Sequence, residues 1–124
     1  MTGAAATQAL IGQIEAVIQT EVGRNIGALC AAARGGLWGA AAALGAAPSC
    51  RVGLITGFYV PSGAPPAAET DGPIGAALLA RGLIASGIVC RLATDEPCHN
   101  ACAVALAAAG AAAVPVDATA VGVS

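Results

Sequence analysis

The sequence predicts an α/β fold of three-layer, Rossmann-like type, with a short parallel sheet, helices supplied by the N-terminal region, and an incomplete C-terminal end. Three observations predict it. Compact apolar runs at residues 52–55 and 88–93 suit buried parallel strands. A helical pattern follows each run, and Pro73 and Pro97 stand where a first helical turn tolerates a missing N–H. Strand, helix, strand, helix, strand then implies right-handed crossovers in one sheet.

The elements follow in order. Residues 7–22 have helical spacing, with Leu10, Ile11, Ile14, Val17 and Ile18 on one face and Gln8, Gln13, Glu15 and Gln19 mainly on the other. Gly23 breaks that pattern. Residues 26–33 and 37–44 read as two shorter helices, separated by Gly35 and Gly36, and Gly45 and Pro48 mark a terminating turn. The first strand spans residues 51–57. A long loop, 58–72, holds Pro61, Pro65 and Pro66. The helix over 74–86 places Ile74, Leu78, Leu79 and Leu83 on one side, and Gly87 stops it. Residues 88–93 form the second strand, 98–109 a helix ending at Gly110, and 112–116 a third strand. One domain is expected over 1–124, with a helical part at 1–50, the β-α-β-α-β part at 51–116 and a tail at 117–124. The sheet has open edges, and the one near Val114 calls for more chain or a second copy of the protein to cover it.

Composition narrows the functional classes. The chain has 124 residues, 57% hydrophobic but only 2% aromatic, so alanine supplies most of the apolar count. Alanine buries little area, and each such position contributes less than the roughly 1.5–3 kcal/mol of a buried Leu or Val. There is no lysine, and five arginines leave a net charge of −2. Without a basic stripe, nucleic acid is not an expected partner. The first positive charge is Arg24, so no charged segment of a signal peptide precedes it. The most apolar stretch, 101–116, falls short of the roughly 20 residues that span a bilayer, and no membrane partner is expected. Five cysteines at irregular spacing suggest reduced, mostly buried thiols in a cytoplasmic protein.

Two segments are candidates for chemistry. Loops longer than about 12–15 residues are uncommon in compact domains unless functional or disordered. The loop from Thr56 to Pro73 leaves the carboxyl end of a strand and enters a helix, where ligands bind in open α/β sheets. It carries no G-x-G-x-x-G or P-loop pattern, and Glu69 and Asp71 would repel a phosphate at the helix start. No nucleotide cofactor is expected. The two carboxylates suit an ammonium group, a metal ion or a substrate needing acid-base help. Asp71 or Thr70 is equally suited to cap the helix. The second segment, Thr94-Asp95-Glu96-Pro97-Cys98-His99, leaves the next strand beside the first. Asp95 can orient a substrate or cap its helix. Cys98, His99 and Cys102 lie within one turn, but structural zinc takes four Cys or His ligands and the chain offers no second half, so no metal is expected. His99 reads best as a surface or packed histidine.

The run Ile55-Thr56-Gly57-Phe58-Tyr59-Val60-Pro61, then Pro65-Pro66-Ala67-Ala68-Glu69-Thr70-Asp71-Gly72-Pro73, resembles the signature of the D-glutamate cyclase-like C-terminal domain family. Thr94-Asp95 followed by Cys98 resembles it as well. The likeness is clear over residues 52–98, and the chain looks shorter at its C-terminal end than the family's domains. The resemblance implies an intracellular α/β domain, alone in bacteria and fused to a hydro-lyase-like domain in the mitochondrial animal enzyme. It implies a lyase that converts D-glutamate to 5-oxo-D-proline with loss of water; no cofactor and no metal are expected. In that setting Glu69 and Asp71 are the expected catalytic carboxylates. N–H groups at Gly57, Gly63 and Gly72 would hold a carboxylate or oxyanion. Thr56, Tyr59, Ser62, Thr70, Thr94 and Asp95 complete the expected substrate-binding set. The alternative expectation is a non-catalytic module, or truncated remnant, that binds an amino acid or related acid.

Overall fold

A computed structural model of the chain describes residues 3–23, 25–47 and 49–120. The chain divides into two compact units, Met1–Pro48 and Ser49–Ser124. The first holds three helices, α1 (Gly3–Ile18), α2 (Gly27–Ala32) and α3 (Gly36–Gly45). Helix α1 starts and stops four residues before its expected bounds. Ala4, Ala5 and Ala6 have the highest helix propensity and extend the start. Val17, Ile18 and Thr20 are β-branched, lose rotamer freedom in a helix and end it before Gly23.

The apolar face of α1 is not buried as its periodicity suggests. Leu10, Ile14, Val17 and Ile18 are all exposed. The neighbouring helices are short and rich in Ala and Gly, so they offer little surface to cover it. The buried residue of α1 is Glu15. Its carboxylate accepts N–H bonds from Gly35 at 2.8 Å and Leu37 at 2.9 Å, joining α1 to the start of α3. The Leu37 and Gly35 N–H groups, in that order, hold the Glu15 carboxyl below its ordinary pKa.

The second unit contains the sheet. Strands β1 (Arg51–Ile55), β4 (Val89–Asp95) and β5 (Val116–Thr119) are parallel and lie in the order β1-β4-β5. Helices α4 (Asp71–Ala85) and α5 (His99–Ala108) are the crossovers. Sequential strands with right-handed crossovers place both helices on one face of the sheet, where they pack on each other. The fold is the Rossmann-like α/β class that the sequence predicts. Burial alternates along β4, with Cys90, Leu92 and Thr94 buried towards the helices and Val89 and Arg91 exposed. Along β1, Leu54 is buried but Ile55 is 89% exposed, so the run expected to be buried on both faces is buried on one.

Helix α4 also turns an unexpected face inward. Pro73, Ala77, Ala80 and Leu83 are buried, whereas Ile74, Leu78 and Leu79 are more than half exposed. Ala77 and Ala80 carry so little bulk that the helix can lie close to its neighbours, and the Cys90 thiol sits 4.0 Å from the Ala80 carbonyl. The third strand lies at Val116–Thr119 instead of residues 112–116, and so takes in part of the expected tail. After α5 the chain must turn before it can run parallel again. Ala111 donates to Leu106 and Val114 to Ala111 in that turn, which buries both Ala111 and Val114. Sheet pairing begins where Leu92 donates to the Pro115 carbonyl at 2.9 Å. Among the described residues β1 and β5 are edge strands, so the expected open edges are present.

Candidate active site

The carboxyl ends of the three parallel strands enclose a cleft of about 540 Å³. Ile55, Thr56 and Gly57 line it from β1, Ala93, Thr94 and Asp95 from β4, and Thr119 and Ala120 from β5. Its size falls within the roughly 300–1,000 Å³ of small-molecule sites, and its place is the usual one for open α/β sheets. Among the described residues, three threonines and one carboxylate provide its polar side chains.

The wall is built by close backbone approach. Gly57 has φ +137°, a conformation that side-chain-bearing residues rarely adopt. A Cβ placed there would overlap Asp95 Oδ1 and Thr94 Oγ1. Glycine at this position therefore lets the end of β1 lie directly against the Thr94-Asp95 pair. Thr94 Oγ1 donates to Asp95 Oδ1 at 3.2 Å. On the other side, a Cβ at Gly72 would fall 2.6 Å from Thr56 Oγ1, so the first turn of α4 lies against the cleft's Thr56.

The long loop is folded back on itself. Strands β2 (Tyr59–Val60) and β3 (Ala67–Ala68) pair antiparallel, with Tyr59 opposite Ala68 and Val60 opposite Ala67. The Ala64–Pro65 bond within this hairpin is cis. Glu69 donates its N–H to the Phe58 carbonyl at 2.8 Å, closing the hairpin's base. Strand β3 packs on the 3-10 turn Glu96–Cys98 that follows β4.

The expected site residues divide into two groups. Thr56, Gly57, Thr94 and Asp95 line the cleft, and Gly72 adjoins it through Thr56. Tyr59, Ser62 and Gly63 belong to the hairpin region and do not line it. Glu69, Thr70 and Asp71 are exposed at the start of α4. Thr70 occupies the N-cap position without a capping side-chain bond, while Asp71 Oδ1 accepts the Gly72 N–H at 2.8 Å. Thr119 and Ala120 were not among the expected site residues, because the third strand was expected four residues earlier.

Cys98 does not line the cleft. It is fully buried at the end of the 3-10 turn. Burial pushes its thiol pKa up to about 11, and the negative charge of nearby Asp95 acts in the same direction. His99 is exposed, and among the described residues no three His, Cys, Asp or Glu side chains converge as metal ligands do. A second cavity, of about 450 Å³, lies within the first unit beside Glu15 and Arg34. Both Glu15 oxygens there are committed to the α3 backbone.

These features define a parallel α/β domain with a cleft of small-molecule size at its strand ends. A family model described as D-glutamate cyclase-like, C-terminal, matches residues 14–123. The chain belongs to that family. No curated protein and no solved structure matches it. Among the described residues no helix is long and apolar enough to cross a membrane.

Proposed function

We propose that the cleft binds D-glutamate and that the chain is a lyase that converts it to 5-oxo-D-proline with loss of water. The observation that carries this reading is Asp95, a carboxylate set among the hydroxyls of Thr56, Thr94 and Thr119 in a cleft of small-molecule size. A carboxylate is the natural partner of the substrate's ammonium group. In the reaction, the α-nitrogen must lose a proton before it attacks the side-chain carboxyl carbon. Asp95 accepts that proton as general base. The C–N bond forms, and a threonine hydroxyl donates to the developing oxyanion. The C–O bond then breaks. The two protons that the nitrogen gives up leave with one carboxylate oxygen as water, so Asp95 returns to its starting state. Holding the open chain in a folded conformation supplies much of the rate, because attack within one molecule needs the reacting atoms in near contact.

Glu69 and Asp71 are the competing carboxylates in this proposal, standing at the start of α4 outside the lining. The test is formation of 5-oxo-D-proline from D-glutamate by the purified chain, with L-glutamate as control. Asp95→Asn is expected to lower turnover by about 100-fold or more, the usual scale for loss of a general base. Glu69→Ala and Asp71→Ala are expected to change it by less than about tenfold. The reverse order would move the chemistry to the loop. One observation favours a second reading, binding without turnover: among the described residues Asp95 is the single ionisable side chain in the lining. Thermal stabilisation by D-glutamate with no product formed would select that reading.

A further inference from the structure

The cavity of about 450 Å³ in the first unit lies between two helical stripes of small and charged residues. Gly12, Glu15 and Ala16 of α1, with Gln19 just beyond it, share one face at helical spacing. Gly27 and Ala31 of α2, with Arg34 just beyond it, share another. The small residues leave the space between the stripes unfilled, and a Cβ at Gly12 would meet no atom within 4 Å. Among the described residues, the charged side chains lining the cavity are Glu15 and Arg34. Glu15 is 8% exposed. The Leu37 and Gly35 N–H groups hold it ionised against its burial, and the Arg34 charge adds to them. Those two N–H bonds leave acceptor positions unused, since an ionised carboxylate offers about four. Arg34 is exposed, and within the described residues it forms no ion pair with Glu15.

We propose that this cavity is a second ligand site, which takes a free α-amino acid with a small apolar side chain. An anion alone would meet the like charge of Glu15, and a cation alone that of Arg34. A zwitterion suits both walls. Its ammonium group faces the Glu15 carboxylate, and its carboxylate faces the Arg34 guanidinium, whose planar fork matches two oxygens. Gln19 adds an amide that donates or accepts. Gly12, Ala16 and Ala31 offer the ligand's side chain an uncharged surface. The volume lies within the roughly 300–1,000 Å³ of small-molecule sites. The cleft of the second unit differs in charge: among the described residues its lining holds a carboxylate and no cation. Occupancy of the cavity in the first unit therefore does not depend on the cyclase reading.

The test is a titration of the full chain with L-valine, followed by the amide NMR shifts of Gly12, Gly27 and Leu37. Two partial mimics are the controls: 3-methylbutanoate, which lacks the ammonium group, and isobutylamine, which lacks the carboxylate. Saturable shifts at these amides with valine, and none with either mimic at the same concentration, are the expected result. Arg34→Gln is expected to weaken valine binding by about tenfold or more, the scale of one charge-assisted hydrogen bond. Ala16→Leu fills the cavity with a good helix former and is expected to abolish the shifts. Asp95→Asn is expected to leave them unchanged, because Asp95 belongs to the cleft of the second unit. Absence of saturable shifts with valine overturns the proposal. So does an equal response to either mimic, or undiminished binding in Arg34→Gln. Shifts at Gly57 and Ala93 alone place the ligand in the cleft and overturn it as well.

Discussion

The two compact units draw on the same alanine- and glycine-rich composition, yet different forces hold them. All the buried hydrophobic side chains among the described residues lie in the second unit, from Leu54 to Val114. In the first unit the buried residue is a carboxylate, Glu15, and the larger apolar side chains of α1 face solvent. A helix satisfies its own backbone, so α1 and α3 can form without a large core, and two hydrogen bonds to Glu15 then define where they meet. A strand cannot satisfy its backbone alone. Parallel pairing of β1, β4 and β5 brings distant segments together, and α4 covers them closely because alanines face inward. Alanine therefore builds a core where a sheet gathers the chain and leaves one unbuilt where only helices are present.

The comparison can be broken most severely at Leu92, which is completely buried at the centre of the sheet. Leu92→Ala is expected to cost the second unit about 2–5 kcal/mol, the usual range for a buried Leu truncation. Hydrogen exchange of the β4 amides in denaturant would show it. If the loss is under about 1 kcal/mol, the alanine-faced core is too loose to feel a cavity. Next in size is Gly57→Ala, which places a methyl group on Asp95 and Thr94 and an unfavourable φ on the new residue. About 1–3 kcal/mol of strain is expected, together with loss of D-glutamate-dependent thermal stabilisation.

A smaller and more local effect is expected in the first unit. Glu15→Ala removes the acceptor of the Gly35 and Leu37 N–H groups, and hydrogen exchange at those two amides is expected to lose its protection. The pH dependence has a definite sign. The folded state holds the Glu15 carboxyl below 4.5, so its stabilisation is complete above the unfolded value and is lost as pH falls through the folded one. The fluorescence of Trp38, in α3, is expected to report an acid transition below pH 4.5 that Glu15→Gln abolishes. The smallest effect is assigned to the Arg91–Asp117 pair. It is bidentate, with contacts of 2.7 and 2.9 Å, but both side chains are more than half exposed. Arg91→Ala is expected to leave the melting midpoint of the second unit unchanged, because water screens such pairs.

Much of the candidate site was legible because its cues are local. Thr56, Gly57, Thr94 and Asp95 follow apolar runs, and the carboxyl ends of parallel strands are where α/β sheets hold ligands. Glu69 and Asp71 drew attention as carboxylates beside a helix start, but nothing in their spacing told whether their side chains point into a cleft or into water. The third strand was displaced because an apolar run at residues 112–116 reads the same whether it pairs in a sheet or fills a buried turn.

By itself, the sequence determined the order of the α-helices and parallel strands, the parallel crossover topology and the family to which the chain belongs. Those follow from hydrophobic period, from prolines and glycines at element ends, and from an unusual run of loop residues. Only the tertiary structure decided which face of α4 is buried, where β5 begins, and which polar groups meet in the cleft. Those outcomes depend on contacts between segments far apart in the chain. A periodic pattern marks a face as apolar, but the bulk and distance of its neighbours decide whether that face finds cover.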